Sequence, residues 1–279
     1  GLKSYKIIVK STLISALLTL GVSIALIYYL DKLGLVLSVF VPSLILLLTY
    51  CFHMSKSLHF GRALFGKTFR LFIFKPVLSF TVMSAVAAIV FPTVLIIIRS
   101  LLVEHSGVEL ASYWEGYNRL SLFMSGLAIS SISLYYLPKL VEVNTGQEML
   151  KVVLWGIKFL FAYVFPTMLL VFLFGSNIIS LLYASSFLEA IFLLKWELLG
   201  TFLKLISFSF SFIMIAKKLT TVFVLSEVIS GLLFLGLSMF LIDLYGIGGA
   251  SIAYAVTYFL YLFWVVIYFG KRFRFFEKE

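Results

Sequence analysis

The chain has 279 residues, of which 62% are hydrophobic and only 12% charged; its formal net charge is +10 and its mean hydropathy +1.13. A soluble domain carries about a quarter charged residues, so this composition excludes one and calls for a polytopic α-helical membrane bundle. The single cysteine, Cys51, rules out an intrachain disulfide; set in an apolar run, it is expected to be a packed thiol. The chain begins at Gly1 and its first apolar run is too long for a signal-peptide core, so the sequence is expected to be the C-terminal part of something longer.

Eight apolar segments follow in order, at about 11–30, 35–53, 77–102, 111–137, 152–174, 188–216, 220–242 and 249–269. Each is long enough, at roughly 20 residues or more, to cross a hydrocarbon core of about 30 Å. Turn or charge signals separate them: Asp31-Lys32-Leu33-Gly34, Ser106-Gly107, Asn144-Thr145-Gly146, Gly175-Ser176-Asn177 and Gly246-Ile247-Gly248-Gly249.

With eight segments, 16 of the 22 Lys and Arg residues fall on one face. They are Lys3, Lys6 and Lys10; Lys56, Arg62, Lys67, Arg70 and Lys75; Lys139 and Lys151; Lys217 and Lys218; and Lys271, Arg272, Arg274 and Lys278. Basic loops stay in the cytoplasm, so both termini are expected there. The positive charge then serves topology and contact with anionic membrane lipids, and no nucleic acid is expected as a partner. Between residues 53 and 75, Leu58, Phe65, Phe69 and Phe72 share one helical side, and Lys56, Lys67 and Arg70 the other. Either a helix lying in the interface or a basic topogenic loop accounts for this stretch.

Ionisable residues within membrane segments are costly and mark candidate sites. Arg99 lies near one end of the third segment, where its long side chain is also able to snorkel. Glu115 and Arg119 stand four apart on the fourth segment, acid first, beside Tyr113 and Trp114. They read either as a self-neutralised pair or as the charged wall of an aqueous cavity. Lys158, Glu197, Lys204 and Glu227 lie deep in the fifth to seventh segments. Two accounts stay open for them: a buried network tying these segments together, or an ion or substrate path. The histidines His53, His59 and His105 lack metal-ligand spacing, and no phosphate loop or nucleophile elbow occurs. No catalytic residue, metal site or cofactor is therefore expected.

At the third and fourth segments a more specific pattern emerges. Ser79-Phe80-Thr81-Val82-Met83 precedes Ile96-Ile97-Ile98-Arg99-Ser100-Leu101-Leu102; Ser112-Tyr113-Trp114-Glu115-Gly116 and Leu134-Tyr135-Tyr136-Leu137-Pro138-Lys139-Leu140 follow. With Leu199-Gly200-Thr201-Phe202-Leu203-Lys204 and Gly246-Ile247-Gly248-Gly249-Ala250, this resembles the polysaccharide flippases of the O-antigen and enterobacterial-common-antigen (lipid III) type. Those belong to the multidrug/oligosaccharidyl-lipid/polysaccharide exporter superfamily. The resemblance runs from about residue 75 to the end.

The resemblance implies a twelve-helix transporter of two six-helix lobes around a central cavity. The eight segments would be helices five to twelve: two helices and a basic linker in residues 1–75, and a six-helix lobe in 76–279. It further implies a multi-pass protein of the bacterial inner membrane that translocates an undecaprenyl-diphosphate-linked oligosaccharide, alongside other glycan-assembly proteins. Arg99, Tyr113, Trp114, Glu115 and Arg119 would then be the substrate-binding group, with Lys158, Glu197, Lys204 and Glu227 as a coupling or structural network. The chain departs from the family's frequent residues at Glu115, Leu122 and Thr201. A small-molecule exporter of the same superfamily would want a more anionic pocket, and a membrane enzyme of glycan assembly a longer external loop.

Overall fold

The computed structural model describes residues 5–55 and 71–272, all its regular structure being helical. The long helices are α1 (Tyr5–Ser55), α2 (Leu71–Glu142), α3 (Gly146–Leu173), α5 (Leu193–Ala216), α6 (Thr220–Tyr245) and α7 (Ile247–Arg272). Between α3 and α5 lie a short α4 (Gly175–Leu182) and a 3-10 turn, Ser185–Ala190. The sixth apolar segment therefore begins as α5 at Leu193; residues 188–192, read as part of that helix, belong to the connection. The basic stretch 56–70, and with it most of the interfacial helix considered above, lies outside the described residues.

Six helices among the described residues are long and apolar enough to cross a membrane. The first two are doubled. Unbroken, the 51 residues of α1 and the 72 of α2 would run roughly 75 and 110 Å, far beyond a bilayer. Each is interrupted by one non-helical residue, Asp31 (φ 47°, ψ −121°) in α1 and Gly107 (φ 85°, ψ 165°) in α2. The result is eight apolar limbs, breaking where the turn signals stand. The chain is a multi-pass helical membrane protein.

The protein divides into two compact units, Gly1–Leu71 and Phe72–Glu279. In the first, α1 doubles back at Asp31, and a Cβ on Gly34 would come within 2.0 Å of the Leu26 carbonyl oxygen. Only glycine fits that approach. The loop between α6 and α7 repeats the device: Gly246 has φ 56° and ψ −136°, and a Cβ on Gly249 would lie 2.1 Å from the Leu241 carbonyl oxygen. In both hairpins the turn residue is followed three positions later by glycine and preceded five positions earlier by the crowded carbonyl.

The second unit is centred on α7, which packs along α5 and α6. Small side chains let these helices approach closely: Gly200, Ser207 and Ser211 on α5 face a helix carrying buried Ala250, Ser251, Ala253 and Ala255. The Tyr254 ring lies over Gly200, where an added Cβ would meet it at 2.3 Å. Tyr136 of α2 inserts over Gly156 of α3 and donates a hydrogen bond from its hydroxyl to the Ser209 carbonyl at 2.8 Å. Thr145 caps α3 through its side chain, which accepts from the Glu148 N–H. Large apolar side chains such as Leu169, Phe172, Leu232 and Phe240 remain exposed, as lipid contact requires. Cys51, expected to be packed, is exposed because α1 buries little of its surface.

Candidate functional site

Arg99 and Glu115 each lie eight residues from Gly107, on the two limbs of α2. Folding the chain at Gly107 brings them to one level, about 12 Å along each limb from the turn. Arg99 Nε stands 2.9 Å from Glu115 Oε2. Arg119, one helical turn further along the second limb, places Nε 3.0 Å and Nη2 2.6 Å from Glu115 Oε1. One carboxylate thus bridges two guanidinium groups, and the cluster keeps one net positive charge. Its side chains are open to the surroundings, 56% for Arg99, 71% for Arg119 and 23% for Glu115. An unpaired charge in hydrocarbon costs several kcal/mol, of order 3 by insertion scales. Pairing offsets part of that cost for a membrane segment.

Tyr113 and Trp114 do not share this face. They are buried, with Tyr113 packed on Phe187 at 4.9 Å between ring centres and donating to Glu109 Oε1 at 2.8 Å. Neighbouring aromatics do the same: Tyr117 donates to the Phe187 carbonyl at 2.9 Å, and Tyr183 to the Gly116 carbonyl at 3.0 Å. These bonds fasten the connection between α3 and α5 against the second limb of α2. They leave Glu115 and Arg119 on its opposite side.

A second cluster lies inside the unit. Glu197 of α5 is fully buried; Ser251 of α7 donates to its Oε1 at 2.8 Å and Asn118 of α2 to its Oε2 at 3.4 Å. Two turns along α5, Lys204 is buried with Nζ 4.5 Å from the Phe91 ring centre and 5.4 Å from that of Tyr258. Glu197 and Lys204 are thus both buried on α5, and Glu227 of α6 is partly buried. Lys158 is exposed on α3 and does not join them.

Asn118, Ser251, Phe91 and Tyr258 were not singled out from the sequence. Asn118 lies between Glu115 and Arg119 in a membrane segment, which was the available signal. The other three, serine and aromatics on apolar helices, carried none.

No family model matches the chain, and no solved structure does. Among curated proteins, the chain is similar to the Lipid III flippase of Escherichia coli (strain K12), 28% identical over 183 residues. The Lipid III flippase of Shigella flexneri matches at the same identity and length. The similarity takes in 66% of this chain and 44% of each relative, so the chain spans less than half the length of the proteins it matches.

Proposed function

We propose that this chain works in the bacterial inner membrane as part of a flippase for a polyprenyl-diphosphate-linked oligosaccharide. The observation that carries the reading is the Arg99–Glu115–Arg119 cluster: a net positive, open group held well inside an apolar helix pair. The similarity to two proteins named Lipid III flippase points the same way.

The chemistry of such a cargo suits the cluster. Its diphosphate is anionic, its glycan polar and its polyprenyl tail apolar. The tail stays in lipid while the head group crosses through water. Two guanidinium groups offer forked donors that match phosphate oxygens in pairs. The glycan needs no covalent step, and none is assigned to any residue. Tyr113 and Trp114 serve this site from behind, as the packing that fixes the second limb of α2. Residues 76–279 act as one lobe, with α1 belonging to the other, and both termini face the cytoplasm, the Gly107 turn facing outward. Alternation between lobes would then present the cluster to each side in turn.

Export of lipid-linked glycan in cells lacking their own flippase tests this reading. Expression of the complete gene in which this chain is encoded should restore export. Failure to restore it with any lipid-linked glycan offered, although the protein is folded in the membrane, would reject it.

A further inference from the structure

Resting on the flippase reading, we infer that Glu115 is a resident competitor for the diphosphate: it occupies the arginine edges that the head group needs, and yields them when cargo enters. The geometry carries this. Glu115 Oε1 takes both Nε and Nη2 of Arg119, the forked edge that a phosphate would use, while Oε2 takes Nε of Arg99. A carboxylate and a phosphate oxygen cannot share the same N–H donors at full strength. The three side chains come from two limbs joined at Gly107, so one carboxylate closes both cations at once.

The arrangement solves a problem of transport. Two free arginines would hold a multiply charged diphosphate tightly and release it slowly. An internal carboxylate lowers the net gain on binding and re-forms its pairs as the cargo leaves. It also keeps the empty site near neutrality, with one positive charge rather than two. Glu109 makes a useful contrast: it lies on the same limb, but it accepts from Tyr113 and none of its resolved bonds reaches either arginine.

Titration of the detergent-solubilised chain with inorganic diphosphate and with farnesyl diphosphate tests the inference. Glu115→Gln should bind roughly three- to tenfold more tightly than the unaltered protein, the scale of one partly exposed ion pair. Glu115→Asp, which keeps the charge but loses reach to both guanidinium groups, should shift the same way by less. Glu109→Gln removes an equal charge nearby and should leave affinity unchanged. Arg119→Ala should weaken binding. Tightening with both probes, or with farnesyl diphosphate alone, supports the inference, the second result making a lipid-borne diphosphate the ligand. Unchanged or weaker binding in Glu115→Gln, or equal tightening in Glu109→Gln, overturns it while the flippase reading stands. Binding indifferent to Arg119→Ala overturns both.

Discussion

Arg99 and Glu115 meet at 2.9 Å across the Gly107 turn, so an ion pair closes the two limbs of α2. The pair is not a local helix contact like that of Glu115 with Arg119. It depends on the chain reversing at Gly107, and it joins Arg99 to Glu115 and Arg119 in one cluster.

This relationship changes how the arginines are to be separated experimentally. Removing Glu115 and Arg119 together, as Glu115→Gln with Arg119→Gln, leaves Arg99 alone and the net charge at its original value. If positive charge near Gly107 is what matters, export should fall partway, by less than in Arg119→Ala, which leaves no net charge. Glycan export normalised to membrane-inserted protein measures the difference.

The turn at Asp31 predicts a stability gain. Asp31 holds φ 47° with ψ −121°, a conformation that suits glycine, and Gly246 holds nearly the same angles in the matching hairpin. Asp31→Gly should stabilise the protein by about 1 kcal/mol, and Gly246→Asp should destabilise it by a similar or larger amount. Thermal unfolding in detergent would show midpoints moving in opposite directions.

Close helix approach predicts a loss. A Cβ at Gly200 meets the Tyr254 ring at 2.3 Å and the Ala255 Cα at 3.2 Å, and both are buried. Gly200→Ala should cost roughly 1–3 kcal/mol by overpacking, read as a lowered unfolding midpoint.

The buried carboxylate gives a graded series. Glu197 accepts from Ser251 and Asn118 inside the unit. Glu197→Gln retains an acceptor oxygen, whereas Glu197→Leu strands both donors, and each stranded group costs about 1–3 kcal/mol. The leucine variant should therefore unfold at the lower temperature of the two.

The eight limbs were readable from the sequence because hydropathy and turn residues are local signals, and the membrane leaves few alternatives to helices. Asp31, Gly107 and Gly246 each break a helix where charge or glycine marks the break. Residues 188–192 misled because Leu188, Ala190, Ile191 and Phe192 continue the apolar run without being α-helical, while the one charge among them, Glu189, marks the connection. At the site, a helical wheel places Glu115 and Arg119 only about 40° apart and Trp114 and Tyr113 well round the helix from them. Which of those sides faces inward is decided by Phe187 and Tyr183, about 70 positions away. The Glu197–Lys204 alignment is likewise a matter of periodicity, while the Ser251 bond to Glu197 comes from a separate helix that no local rule connects.

On the proposed function, the open arginines near Gly107 handle the diphosphate of the cargo. The most direct measurement of this role is the rate of lipid-linked glycan export by Arg119→Ala and Arg119→Lys in the full protein at equal membrane abundance. The rate should fall roughly tenfold or more for alanine, about 1.4 kcal/mol or more of lost interaction, with partial recovery for lysine, which returns the charge without the planar fork. Export by Arg119→Ala at the unaltered rate would contradict that role.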